Sequence, residues 1–291
     1  MEFMSERLEQ LNDPNYWRAL CPDMTITEQT PLSQVSSFGD EIQIRDEDWQ
    51  TCKATIHRDA YFVYDSYFHP EFIERLATCM RAVDSAGLST AFCFVYDEFW
   101  QLLLQLDPLL TDLIGDYELL PAVWAWFVRH DRQTGFAPHR DGVRDVSVDD
   151  EEHLDYLTIW IPLTDLDHHS SSISVLPASA DPNYDAGTEE IKIDNPQDVR
   201  SLQASKGSVL CWTIGLAHWG TKQSEFGPPR LSIGYFVQHE DAECLVPPPM
   251  DFDESFTLTE RLSVIGQQIM DYSRDADEEL LGLAKQLVTP A

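Results

Sequence analysis

The sequence is poor in positive charge. Its 291 residues hold 19 Lys and Arg against 51 Asp and Glu, a formal net charge of −32 with a pI near 4.3. Such a chain is repelled by phosphate backbones and anionic lipid headgroups, which argues against nucleic acid and membrane partners. No apolar run reaches the roughly 18 residues that span a bilayer, and the N-terminus lacks the basic-then-apolar pattern of a secretory leader. The expectation is a soluble, cytoplasmic protein. The six cysteines, Cys21, Cys52, Cys79, Cys93, Cys211 and Cys244, are scattered and form no CxxC. That spacing offers neither a zinc knuckle nor a disulfide framework, and most of these thiols sit in apolar surroundings as small hydrophobes.

What is present is core-forming material. Hydrophobic residues make up 43% of the chain and aromatics 11%, enough for one large core or two small ones and too much for disorder. Ser5 to Leu20 carries loose helical spacing broken at Asn12-Asp13-Pro14. Ala60 to Tyr64 reads as a strand, and His69 to Ala86 and Asp97 to Ile114 read as two amphipathic helices. After Gly115 the pattern changes to short β-like runs: Ala122 to Val128, Tyr156 to Ile161, Ile173 to Leu176, Ser208 to Ile214 and Leu231 to Val237. Many short strands between Gly, Pro, Asp and Ser clusters point to a sandwich or jelly roll, a class that includes the metal-holding cupin barrels. Thr257 to Tyr272 and Asp275 to Leu287 are helical again. The fold class expected is mainly β with flanking helices, arranged as a single domain over 1–291. An N-terminal lead-in (1–116), a core carrying the site (117–238) and C-terminal helices (239–291) divide it.

Two histidines and one carboxylate on one face of an ion hold a redox metal with positions left open. In sequence this shows as His-x-Asp/Glu with a second histidine far downstream. Nine histidines in so acidic a chain predict about 1.6 such pairs by composition alone. Five occur: His57/Asp59, His69/Glu71, His139/Asp141, His153/Asp155 and His239/Asp241. His69/Glu71 straddles Pro70 at a helix start, where Glu has an ordinary first-turn role. His239 has no histidine downstream, and His57 precedes the whole β region. His139/Asp141 follows a strong strand and a Thr134-Gly135 turn, with His218 far beyond it and Arg230 opening the next strand. His153/Asp155 could use the same His218, but it lies in a run of acids that reads more simply as a solvated loop.

At these residues the sequence resembles the phytanoyl-CoA dioxygenase-like branch of the iron(II)/2-oxoglutarate-dependent oxygenases, over about Tyr61 to Gln238. The likeness is carried in order by Ala137-Pro138-His139-Arg140-Asp141-Gly142, Leu157 to Asp165 (LTIWIPLTD), Ile173 to Ser179 (ISVLPAS), Lys206 to Leu210 (KGSVL), Gly215-Leu216-Ala217-His218 and Pro229 to Ile233 (PRLSI). The resemblance implies a double-stranded β-helix in which His139, Asp141 and His218 bind Fe(II) and act as the catalytic set. It also selects that pair over His153/Asp155. 2-Oxoglutarate would take two of the open positions and O2 the third. Arg230 would bind the far carboxylate of the cosubstrate, with a hydrogen bond from Ser232 on the same strand face, and Trp160 would line that pocket. The family often has a small hydroxyl residue two positions past the distal histidine; here that position is Gly220, followed by Thr221. Halogenating relatives lose the carboxylate ligand, whereas Asp141 is present, so the resemblance favours hydroxylation, desaturation or cyclisation.

The substrate expected is a small molecule such as an amino acid or a natural-product intermediate, because a CoA thioester is a polyanion facing a chain of −32. Arg129, Arg132, Arg140 and Arg144 flank the metal pair and offer either a substrate carboxylate site or partners for the acids from Asp145 to Asp155. Trp124, Trp126, Trp212 and Trp219 read equally as core or pocket wall, and the His168-His169 pair as exposed loop. The C-terminal helices leave monomer and homodimer both open. Two other readings remain: a cupin-like isomerase or lyase using the same triad without 2-oxoglutarate, and a jelly-roll binding protein that has lost turnover.

Overall fold

A computed structural model describes residues 2–35, 44–129, 136–143, 154–167, 170–222, 227–243, 245–246, 248–272 and 276–288, with side chains from residue 5 onward. Helix α1 (Glu2–Leu11) ends before Asp13, whose carboxylate caps α2 (Pro14–Leu20) by accepting from the Asn15 amide, with Pro14 at the first helical position. Helix α3 (Asp46–Asp59) then leads into β1 (Tyr61–Tyr64) through Ala60, which takes the left-handed conformation at φ 65°. The expected helix over 69–86 is α4 (Pro70–Ser85). The one expected over 97–114 is two, α5 (Asp97–Leu104) and α6 (Asp107–Ile114). Pro108 explains the break: without an amide hydrogen it suits a first turn and cannot continue a preceding one.

The strands follow as β2 (Tyr117–Val128), β3 (Tyr156–Pro162), β4 (Ile173–Leu176), β5 (Arg200–Leu202), β6 (Val209–Thr213), β7 (Ala217–Gly220) and β8 (Arg230–His239). All pairings are antiparallel and form two sheets, a five-stranded one in the order β1-β6-β3-β8-β2 and a three-stranded one in the order β5-β4-β7. β1, from the N-terminal lead-in, is thus an edge strand of the larger sheet. The chain ends in α7 (Leu258–Tyr272) and α8 (Glu278–Val288). Thr257 and Glu260 start α7 as a reciprocal capping box: the Thr257 amide donates to the Glu260 carboxylate and the Glu260 amide to the Thr257 hydroxyl.

Alternation along the strands sorts the side chains between two cores. Leu157, Ile159 and Ile161 on β3, Val209 and Cys211 on β6, and Leu231, Ile233, Tyr235 and Val237 on β8 pack against the helices. Trp160, Leu210 and Trp212, from the opposite face, join Ile173, Val175, Leu202 and Leu216 between the two sheets. A sheet buried on both faces reads as a continuous apolar run, which is what the sequence shows at these strands.

Candidate metal centre

His139 and His218 are held side by side by backbone hydrogen bonds. The His139 amide donates to the His218 carbonyl at 3.0 Å and the reverse bond is 2.9 Å, while the Gly220 amide reaches the Phe136 carbonyl, so residues 136–139 lie along β7 like a short added strand. The two imidazole centroids are 4.3 Å apart. Each ring's Nδ1 meets a carbonyl two residues back, Ala137 for His139 at 2.8 Å and Leu216 for His218 at 3.0 Å. With Nδ1 carrying the proton, each Nε2 presents its lone pair. Both Nε2 atoms lie 3.6 Å from Oδ1 of Asp141. Asp141 Oδ2 is turned the other way and accepts from the Thr158 hydroxyl at 2.6 Å and from the Trp212 indole N–H at 3.1 Å.

Three ligand atoms, one each from His139, Asp141 and His218, fall within 4.8 Å of one another, and among the described residues no other group of His, Cys, Asp or Glu does so. Their protonation suits a cation. Burial opposes the charged form of Asp141, but His218, His139 and the Thr158 hydroxyl outweigh it and hold its carboxyl at about 2. Burial pushes His218 toward the neutral imidazole that a metal needs.

The triad faces a cavity of about 1110 Å³ whose wall includes Trp126, Phe136, Trp160, Ile173, Gly220, Gly234 and Arg230. Arg230 is buried there, with no counter-ion among the described residues. Its Nη1 donates to the Ser171 hydroxyl at 3.0 Å, its guanidinium lies 5.4 Å from the Trp160 ring centroid, its Nε has no partner, and no carboxylate among the described residues pairs with it. Burial lowers its pKa to about 10, which leaves it charged at neutral pH. Ser232, two residues along the same strand face, is wholly buried and its hydroxyl is also unpartnered. The other two buried arginines differ. Arg140 pairs with Asp181 at 2.7 Å, and Arg261 pairs with Asp97 at 2.6 Å while donating to the carbonyls of Phe256, Val95 and Thr27.

Of the four flanking arginines the structure describes Arg129 and Arg140, and both have carboxylate partners. Arg140 is committed to Asp181, and Arg129 pairs with Asp84 at 2.9 Å and lies over the Phe127 ring. Arg132 and Arg144, like His153, His168-His169 and most of Asp145 to Asp155, lie outside the described residues. Asp155 itself takes its place on the cavity wall, with its carbonyl accepting from the His239 amide. Asp59 pairs with Arg58 and Ser179, and His69 caps α4 by accepting from the Glu71 amide. Thr221, beside Gly220, spends its hydroxyl on the Ser172 amide. Sequence reasoning missed Thr158 and Ser171. A hydroxyl on the inward side of the otherwise apolar Leu157 to Ile161 run was the available signal for Thr158; Ser171 had none.

No family model and no curated protein matches the chain. Solved structures do. The non-haem alpha-ketoglutarate-dependent epimerase SnoN from nogalamycin biosynthesis superposes with a TM-score of 0.53 at 13% identity, over 73% of this chain and 94% of that one. The non-haem monooxygenase ThoJ gives 0.52 at 13% identity, over 76% and 99%. The carbocyclase SnoK, also from nogalamycin biosynthesis, gives 0.50 at 14% identity, over 74% and 88%. At these identities the likeness establishes the fold, a double-stranded β-helix of the cupin-like, jelly-roll class with helices packed outside.

Proposed function

We propose that the protein is a non-haem iron(II)- and 2-oxoglutarate-dependent oxygenase, of the phytanoyl-CoA dioxygenase-like branch, that oxidises an unactivated C–H bond of a small molecule. The observation that carries this reading is the contrast among the buried arginines of the described residues: Arg140 and Arg261 pair with carboxylates of the chain, and no described carboxylate pairs with Arg230, which faces the same cavity as the triad. A buried cation kept without a counter-ion is costly unless a ligand supplies the anion. The far carboxylate of 2-oxoglutarate is such an anion, and the guanidinium edge with the Ser232 hydroxyl beside it offers the donors.

In this reading His139, Asp141 and His218 hold the metal, Arg230 and Ser232 bind the cosubstrate, and Trp160 walls that pocket. Bound iron with the keto acid and O2 would supply the oxidising power for hydroxylation, desaturation or cyclisation, with release of succinate and CO2. The fold is shared with enzymes described as an epimerase, a carbocyclase and a monooxygenase, so the fold alone leaves the outcome among these open. The cavity lining carries Asp155, Asp241, Glu243 and Asp271 besides the metal ligand, while its two arginines are Arg140, already paired, and Arg230. That balance supports a small substrate over a CoA thioester.

The test is anaerobic titration of the iron(II)-loaded protein with 2-oxoglutarate, read by the visible metal-to-ligand charge-transfer band. A band in the wild type that weakens in Arg230→Ala, and loss of iron binding in His139→Ala, Asp141→Ala and His218→Ala but not in Asp155→Ala, is the expected result. Bound iron with no band would favour a cupin-like isomerase or lyase.

A further inference from the structure

Asp141 lies in the segment that follows the added strand, yet its orientation is set by the opposite sheet. Thr158 on β3 and Trp212 on β6 are directly opposed cross-strand partners in the larger sheet, so their side chains rise from one spot on one face. Both are buried, and both donate to the same oxygen, Oδ2, at 2.6 and 3.1 Å. A carboxylate oxygen has two lone pairs, and both of these are then taken. Only Oδ1 faces the two imidazoles, 3.6 Å from each Nε2. The Trp212 ring also lies 4.8 Å from the His218 ring, so the same side chain buttresses a second ligand.

We propose that Thr158 and Trp212 are positioning residues that restrict Asp141 to one-oxygen coordination and so keep a metal position open for a reactant. A carboxylate with both oxygens free can grip a cation in bidentate fashion and occupy two positions. A roughly octahedral ion held by one atom from each of three side chains keeps three positions; a two-oxygen grip would leave two, enough for a chelating keto acid and none for a further reactant. The pair also ties the larger sheet to the ligand set, since His218 stands on β7 of the smaller sheet with His139 bridged to it, and both donors stand on the larger. This inference rests on the metal reading above.

The experiment uses the metal-free full chain and Mn(II) as the probe. Affinity is followed by the electron paramagnetic resonance signal of free Mn(II), and coordinated water by water-proton relaxation. The wild type is expected to bind one Mn(II) with three exchangeable waters. Thr158→Val, which keeps the volume and removes the donor, and Trp212→Phe are each expected to weaken binding about 10- to 100-fold and to lower the water number toward two. Thr158→Ser, which keeps the hydroxyl, restores both. Circular dichroism and thermal melting establish that each variant is folded, and Trp212→Phe carries the test if Thr158→Val does not fold. Wild-type binding with unchanged affinity and water number in the folded variants overturns the proposal alone. Failure of the wild type to bind Mn(II) overturns the metal reading as well.

Discussion

Among the buried arginines the chain spends its hydrogen bonds unevenly. Arg261 is enclosed by Asp97 and three carbonyls and stacks near Phe256, whereas Arg230 keeps an unpartnered Nε and, among the described residues, no carboxylate. The first arrangement serves folding and the second resists it. Arg230→Met is therefore expected to stabilise the ligand-free protein by about 1–4 kcal/mol while abolishing the rise in melting temperature that 2-oxoglutarate gives the metal-loaded wild type. Thermal melting with and without the keto acid reads both; a destabilised variant that still responds to 2-oxoglutarate would show that Arg230 is a structural residue. Asp97→Ala is the counterpart, with an expected loss of about 3–5 kcal/mol in denaturant unfolding because it strands a buried guanidinium.

At the scale of elements, helices cover the outer face of the larger sheet, and α7 packs against β2 and α8. Its Gln268 side chain accepts from the Val123 amide and donates to the Pro121 carbonyl, satisfying β2 where its pairing with β8 slips between Leu119 and Val123. Tyr272, at the C-terminal end of α7, reaches the cavity wall and packs at 5.8 Å on Trp124. α7 and α8 approach so closely at Gly266 that a Cβ there would stand 2.7 Å from the Ala284 carbonyl oxygen and 3.0 Å from the Leu287 Cβ. Gly266→Ala raises helix propensity and is still expected to cost about 1–3 kcal/mol by overpacking, measured as a lower denaturation midpoint. No loss would mean that the helices can part without consequence.

For the whole molecule the dominant quantity is the net charge of −32. Among the described residues the buried Asp59, Asp97 and Asp181 pair with arginines, Glu98 is held by the Thr25 amide and hydroxyl, and the other acids outside the triad reach the surface, where self-repulsion opposes the compact state. Added salt shortens the screening length from about 30 Å at 0.01 M to about 8 Å at physiological ionic strength, so the melting temperature should rise as NaCl is added over that range. A flat or falling profile would mean that attractive surface pairs outweigh the repulsion.

Much of this protein was legible in the sequence because its signals are local. Alternation within β3 and β8, the helical spacing of α4 and α7, and the residue types His139, Asp141, His218 and Arg230 are set by neighbours a few positions away. The short strands β5 and β7 carry too few residues for a periodic signal and are completed by their sheet partner β4, and helix α3 has a thin apolar face. That His139 and Asp141 converge with the distant His218 is a product of tertiary structure, through the backbone bridge between His139 and His218. The same holds for the role of Thr158 and Trp212, which became a pair when β3 and β6 came into register, and for the fate of the arginines. Arg140 and Arg261 met carboxylates 41 and 164 positions away in the chain, and Arg230 met none among the described residues. Composition and periodicity determine what each segment can bury; only long-range packing determines which polar groups are left facing one another, and there the chemistry of this chain resides.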